Sequence, residues 1–407
     1  MKKNNRYYLR RLNLVDRISK ELNKNSFSIV LKSNSLSVRS NDTEYDFRQN
    51  SNFYYLTGIT FQDQCYFLIN VFESKIEEII YIEEPNEKKL IWGEQIYHTD
   101  NLSKDEYTVD LIKPLIEDKI YKTIMFDTEN NMIFMDSSHI ALEGNWSFGD
   151  ISYYLKEMRA IKDEYEVECI KKAISITKTA FNNVKSNIKV GLFEYNVKAE
   201  IEFAYLSNNV PLSFQTIAAS GINATILHYM SNKDLLKSNN LILIDTGCEY
   251  NMYASDITRT IPINGKRTIE QDVINDLSVD ASEYILSLIK AGALLSNLQK
   301  AYEKYIHVHL QELKIISLDF KLEDIKKITK HKISHHLGID VHDVVLYKDK
   351  SGIETPLKKN NVITLEPGIY FNDKSIIIDD RYYGIGIRLE NDILVLDDKS
   401  ENLSLDI

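Results

Sequence analysis

Cysteine is scarce in this chain of 407 residues. Cys65, Cys169 and Cys248 form an odd, widely separated set without a C-x-x-C, which argues against a disulfide framework and against a structural zinc site, so they read as packed thiols. No stretch approaches the roughly 18 consecutive apolar residues of a membrane span, and no apolar h-region follows the basic start as in a secretory signal. Positive charge is in deficit: Lys and Arg number 49 against 60 Asp and Glu, a net charge of -11. A nucleic-acid partner is therefore not expected. Lys2, Lys3, Arg6, Arg10 and Arg11 do gather at the start. They lie beside Leu9, Leu12, Val15, Ile18 and Leu22 at helical spacing, with Asp16 and Glu21 interleaved, which reads as an amphipathic first helix, since a transit peptide is poorer in acid. The expected location is the cytoplasm, away from membranes.

At this length one hydrophobic core is too little, and two unequal domains are expected. Residues 1–150 mix short strands, such as Cys65 to Val71 and Glu78 to Ile82, with helical stretches, as a smaller α/β domain would. Residues 151–407 differ. Lys162 to Val184 is charged, free of Gly and Pro and carries Val167, Ile170, Ile174 and Thr177 at helical spacing. A second helix is expected over about Glu194 to Leu206. Three β stretches follow, Leu241 to Ile263, Val362 to Tyr370 and Gly384 to Leu396, with helices over about Glu270 to Lys290 and Leu298 to Leu313 between them. The fold class is α+β, and two halves, each a helix pair followed by a β ribbon, point to an internal duplication.

The chemistry concentrates in the last third. Asp245, Asp256, Glu366 and Glu390 each stand in a distinctive local motif, and HKISHHLGIDVHD packs four of the nine histidines around one glycine. Four carboxylates balance two divalent cations in charge, so clustering them carries no repulsion once the cations are bound. A two-metal hydrolase follows. LILIDTGCEYNMYASDITRTIPI reads as two strands about a turn at Tyr250 and Asn251, which makes Asp245 and Asp256 directly opposed, roughly 5 Å apart at Cβ. In VITLEPGIY the strand ends at Glu366 before Pro367-Gly368. In GIGIRLENDILVL alternation puts Gly384, Gly386, Arg388 and Glu390 on one face, the glycines leaving room for a close approach and Arg388 placed to orient Glu390. Spacing does not decide which imidazole binds metal; His331 and His336 each also read as satisfied surface histidines. Imidazole with several carboxylates suits manganese, cobalt or zinc, and the excess of oxygen favours manganese.

Together LILIDTGCEY, ASDITRTIPI, SHHLGIDVHD, TLEPGIY and GIGIRLEND resemble the pita-bread metallopeptidases, and among them the Xaa-Pro aminopeptidases. FRQNSNFYYLTG, Phe47 to Gly58, resembles that family's N-terminal-domain motif, and EMRAIKDEYEVECIKKA its interdomain junction and first catalytic helix. The resemblance implies a C-terminal pita-bread domain in which Asp245 holds one metal, Asp256 and Glu390 bridge both, and His335 with Glu366 completes the second. His335 is singled out because the family's ligand lies seven residues before the histidine of VHD, here His342. It also implies that His228 and His342 hydrogen-bond the substrate carbonyl and stabilise the tetrahedral intermediate without binding metal. The expected reaction is cleavage between a first residue and a following proline by a metal-bridging hydroxide, with Glu366 passing the proton to the leaving nitrogen. A homo-oligomer, dimer or tetramer, is implied as well. A proline dipeptidase shares the same five ligands; a metal-free hydrolase and an inactive binding protein of the same fold are weaker readings because all five positions are filled. His336 and Met252 depart from the family pattern, Met252 standing where a turn glycine is frequent. Trp92 in LIWGEQ is a candidate for the cleft wall, contributed by a neighbouring subunit, or else a core aromatic.

Overall fold

The computed structural model describes residues 5–61, 65–73, 75–84, 91, 97, 99–100, 102–115, 132–136, 147–405 and 407. Trp92 lies outside them. The chain divides into two compact units, Met1–Met158 and Arg159–Ile407.

The first unit opens with helix α1, Arg6–Leu22, capped where the Asn5 side chain accepts from the Tyr7 and Tyr8 amides and ended by Asn23 in the left-handed region. Its buried face is made by Leu14, Val15 and Ile18 together with Arg10 and Arg11. This corrects the face drawn from the sequence, since Leu9 is 49% exposed. The Arg11 guanidinium is buried because it has full partners: Nε and Nη2 donate to Glu78 at 2.6 and 3.1 Å, Nη1 to the Leu56 carbonyl at 2.9 Å and Nη2 to the Thr108 carbonyl at 3.0 Å. Short helix α2, Ser51–Thr57, starts at an Asn50 cap and stops at Gly58, whose φ of 77° suits a residue without Cβ. A six-stranded sheet is built from β1 (Ser26–Lys32), β2 (Tyr66–Phe72), β3 (Lys75–Glu83), β4 (Leu111–Leu115), β5 (Met132–Met135) and β6 (Ser147–Asp150), in the order β4-β3-β2-β1-β5-β6. Central β1 and β2 pair antiparallel and are buried at every interior position; the two polar residues among these, Ser28 and Asn70, are cross-strand partners, and the Ser28 hydroxyl donates to Asn70 Oδ1 at 2.7 Å.

The division between the units falls within helix α3, Ser152–Ala160. In the second unit α4, Glu164–Asn187, begins with a reciprocal cap between Asp163 and Glu166. It packs on α5, Glu194–Ser207. Strands β7 (Ile217–Ser220), β8 (Leu241–Thr246), a small hairpin β9 (Glu249–Tyr250) and β10 (Tyr253–Ala254), and β11 (Ile257–Pro262) follow. Helices α6 (Ile269–Leu288) and α7 (Leu295–Glu312) form the second pair. Strands β12 (Val362–Leu365), β13 (Gly368–Tyr370), β14 (Gly386–Arg388), β15 (Asn391–Val395) and β16 (Ser400–Asn402) complete the unit. A helix pair followed by antiparallel strands thus occurs twice. One apolar cluster, including Ile274, Ile285, Tyr302, Ile306, Ile363 and Ile393, joins α6 and α7 to β12 and β15.

The hairpin register differs from the expected one. Tyr250 pairs with Tyr253 and Asp245 with Thr258, so the turn is centred on Asn251 and Met252, at φ 48° and 68°, one residue later than expected. Positive φ at both central residues is what a two-residue hairpin turn requires, even with methionine in place of the usual glycine. Moving the turn by one residue moves the pairing by two. Side-chain parity survives, and Asp245 and Asp256 still share a face as diagonal neighbours rather than direct partners. In the other half Leu365 pairs with Asn391, which brings the residues just outside that pair, Glu366 and Glu390, to adjoining strand ends.

Glu78→Ala strands the Arg11 charge in the interior, and chemical denaturation of the full chain is expected to show a loss of about 3–5 kcal/mol.

Candidate metal centre

Each acid of the centre sits where an apolar strand ends or breaks. Asp245 follows four buried apolar residues of β8, Asp256 lies between β10 and β11, Glu366 directly follows β12, and Glu390 separates β14 from β15. Main-chain bonds hold these ends together: Glu390 N donates to the Thr258 carbonyl at 3.0 Å, Glu366 N to the Ile333 carbonyl at 2.9 Å and Thr364 N to the His335 carbonyl at 2.8 Å. Ligand-type atoms of Asp245, Asp256 and Glu390 lie within 4.8 Å of one another, as do those of His335, Glu366 and Glu390, and those of Asp256, His335 and His342. Glu390, Asp256 and His335 each belong to two of these groups. All five sequence-selected ligands are therefore brought together, with His342 alongside.

The donor set fits cations on several observations. Asp245 Oδ1 is buried without a hydrogen-bond partner among the described residues. Burial first, and then neighbouring carboxylates, push the Asp256, Glu366 and Glu390 carboxyls well above the ordinary range. Such a cluster resists ionisation unless positive charge enters it. His335 Nδ1 lies 3.0 Å from the His336 carbonyl, which sets Nδ1 as the donor and leaves the Nε2 lone pair facing Asp256 Oδ2 at 3.3 Å and Glu366 Oε1 at 3.7 Å.

His336 belongs to none of these groups. It is buried, meets the Tyr347 ring edge-on, and burial pushes its pKa down to about 3. His342 packs against His335 with ring centroids 4.3 Å apart, and His228 is exposed at the rim of the same cavity. Arg388 is placed differently from expectation. Its Nη2 donates to Asp245 Oδ2, Nη1 to the Tyr370 hydroxyl at 3.1 Å and Nε to Thr258 Oγ1 at 3.1 Å; the Thr258 hydroxyl in turn donates to Glu390 Oε2 at 2.7 Å. Arg388 thus grips Asp245 directly and reaches Glu390 only through Thr258. The two glycines also part company. Gly384 lies outside β14, whereas a Cβ on Gly386 would stand 2.4 Å from the Ala224 carbonyl, the close approach foreseen for this face.

Several neighbours escaped the sequence reading. His331 is no surface histidine: Nδ1 lies 3.3 Å from Glu366 Oε2, Nε2 lies 2.8 Å from the Tyr370 hydroxyl, and burial lowers its pKa to about 4. Its place in the histidine-rich run with His335 was the available signal, since 331–335 is not helical. Thr258, two residues beyond Asp256 and so on its face, was another. Asp392, fully buried, accepts from the Asp256 amide at 3.2 Å, a contact that no local spacing announces. The four clustered acids, Arg388 and the imidazoles of His228, His331, His335 and His342 line a cavity of about 1020 Å³ whose walls also carry Phe214, Ile217, Leu227, Met230 and Tyr347.

A family model described as metallopeptidase family M24 matches residues 168–397, more than half of the chain. The chain belongs to this family. A second model, described as aminopeptidase P, N-terminal domain, matches residues 7–134. The Xaa-Pro aminopeptidase of Escherichia coli is 30% identical over 91% of this chain and 88% of its own length, and that of Haemophilus influenzae 31% over 88% and 85%. Among solved structures, proline aminopeptidase P II from Yersinia pestis superposes with a TM-score of 0.89 at 27% identity, covering 100% of this chain and 97% of its own. Aminopeptidase P from Escherichia coli with the inhibitor Pro-Leu gives 0.88 at 26%, covering 99% and 95%. The α+β, pita-bread architecture drawn from the motifs is the fold of these M24 relatives, and the family is one of metal-dependent peptidases.

The raised carboxyls give the metal-free protein a defined pH response. Protons are held more tightly folded than unfolded, so this contribution to stability is complete below the ordinary carboxyl pKa of about 4 and is lost as pH rises through the raised values. Melting temperatures of chelator-treated protein should fall over that rise, fall less for Glu390→Gln, and recover on addition of manganese.

Proposed function

We propose that the chain hydrolyses the bond between an N-terminal residue and a following proline, with two divalent cations, manganese by preference, held by Asp245, Asp256, His335, Glu366 and Glu390. It is a metallo-aminopeptidase of the Xaa-Pro type. The observation that carries the two-cation reading is the overlap of the ligand groups, with Glu390, Asp256 and His335 each shared between two of them, so that five candidate ligands form one continuous cluster lining one cavity. When bound, two cations supply an activated water and polarise the scissile carbonyl.

The protein's own groups do the rest. The free amine of the first residue lies toward the acids, and His228 and His342, at the cavity wall, donate hydrogen bonds to the carbonyl oxygen as charge develops on it. Glu366, backed by His331 at 3.3 Å, moves a proton from water to the leaving nitrogen. Before proline that nitrogen is a tertiary amide without N–H, so recognition there rests on the fit of the ring rather than on a donor bond. Arg388 acts on the centre from behind by holding Asp245 and, through the Thr258 hydroxyl, the Glu390 carboxylate. We place residues 1–150 as the N-terminal domain and residues 151–407 as the catalytic domain. A cytoplasmic location is supported by three buried, free cysteines. A dimer or tetramer is the assembly that goes with this reading.

Under equal manganese, Ala-Pro-Ala is the expected substrate, with Ala-Ala-Ala uncleaved and activity abolished by chelation. A tenfold preference in kcat/KM for the dipeptide Ala-Pro would make the protein a dipeptidase, and turnover after verified metal removal would refute the metal chemistry.

His228→Ala and His342→Ala should retain both metals while kcat falls roughly 10²-fold, the scale of losing an oxyanion donor. Asp256→Asn and Glu390→Gln should instead lose metal, as read by elemental analysis. Loss of metal from His342→Ala would reassign that histidine as a ligand.

A further inference from the structure

The segment from Ser220 to Asp234 carries His228 to the cavity. The His228 side chain makes no hydrogen bond among the described residues, so the ring stands where the main chain beside it puts it. On either side, Leu227 and Tyr229 are half-buried against a small cluster of Ile217, Ala219, Ala224, Leu243 and Tyr370. The Tyr229 hydroxyl points away from the cavity chemistry and donates to Glu194 Oε2 at 2.8 Å.

Glu194, the first residue of α5, is fully buried. A carboxylate is costly to bury unless its lone pairs are met. Here they are met almost entirely by the His228 segment. Oε1 accepts from Ser220 N at 2.7 Å, Ser220 Oγ at 2.8 Å and Asn223 Nδ2 at 3.1 Å. Oε2 accepts from the Tyr229 hydroxyl and from Asp234 N at 2.9 Å. The donors come from both ends and from the middle of the segment, so one side chain closes the loop on itself. Two further contacts fix its first turn: Lys330 Nζ donates to the Thr225 carbonyl at 3.0 Å, and Gly386 admits the Ala224 carbonyl. The sequence offers no hint of this, because Glu194 reads as an ordinary acidic residue in the first turn of a helix.

We infer that Glu194 is a positioning residue for catalysis, fixing the Ser220 to Asp234 loop through Tyr229 so that His228 meets the substrate carbonyl. The inference rests on the aminopeptidase reading above. An isosteric glutamine keeps the size of the side chain but turns one acceptor into a donor facing groups that donate, whereas Tyr229→Phe deletes a single hydroxyl and leaves the backbone bonds intact.

A double-mutant cycle on the full-length, manganese-loaded enzyme tests it, with Ala-Pro-Ala as substrate. Tyr229→Phe should lower kcat about fivefold, and Glu194→Gln about tenfold or more, with KM and metal content unchanged. In a His228→Ala background neither change should lower kcat further, since the group they act through is gone. Equal losses in both backgrounds would overturn the inference and leave a structural role only; if Glu194→Gln does not fold, the Tyr229→Phe cycle decides alone. Imidazole NMR supplies a readout independent of turnover. The resonance missing from His228→Ala should shift or broaden in Tyr229→Phe while that of His342 stays, and an unmoved His228 signal would also overturn the inference. Absence of cleavage by the native enzyme would refute the peptidase reading, and the NMR comparison would then still settle the positioning.

Discussion

Repulsion among buried carboxylates is the constraint around which the second unit is built. Asp245, Asp256, Glu366 and Glu390 converge where water is largely excluded, Asp392 stands behind them, and Arg388 is the buried cation within the group. One guanidinium cannot balance four acids. Burial works against its charge, yet Tyr370, Asp245, Glu390 and Glu366 outweigh that effect and hold it protonated. What remains uncompensated is a deficit of positive charge in a space a few ångströms across, and divalent ions are the small carriers of enough charge to fill it. The fold answers the same constraint in its covalent design. Asp245 stands within a fully paired ladder, and Asp256, Glu366 and Glu390 stand just outside strands and are tied to their neighbours through their main-chain amides, so the acids are buried beside backbone groups that are already paired.

The histidines divide the labour by their second nitrogen. His335 gives Nδ1 to a carbonyl and presents Nε2 to the acids; His331 stands between Tyr370 and Glu366; His336 is packed away with a pKa near 3. His228 and His342 keep open sides toward the cavity. His335 and His336, adjacent in sequence, meet different fates because pairing with Thr364 and Ile363 alternates which of the two faces the centre.

Much of this was legible in local patterns. Helix spacing placed α4, α5, α6 and α7 within a few residues, and the strand end before Pro367 marked where Glu366 would project, whereas the stretch from Gly384 to Leu396 read as one strand and breaks at Glu390. What stayed hidden was long-range. The partner of Arg388 lies 143 residues earlier in the chain, and adjacency to Glu390 in sequence gave the wrong neighbour. The hairpin turn was misplaced because Asn251-Met252 lacks the glycine that advertises positive φ, and the error was harmless to the site because a two-residue shift preserves the face. The burial of Arg11 is invisible in the amphipathic pattern of its helix because Glu78, which neutralises it, is supplied by another element. Spacing records which groups share a face; it does not record which distant group will complete them.

The pairing of Leu365 with Asn391 has a consequence for how the molecule reaches its working state. Glu366 and Glu390 stand immediately outside that pair, so a slip of one residue between β12 and β15 would turn one of the two acids to the opposite face and scatter the ligand set. A molecule trapped in that register would bind cations poorly, and cation binding draws the population toward the register that binds well. Alignment of β12 with β15 and assembly of the acid cluster are therefore a single event, in which neither can be right while the other is wrong.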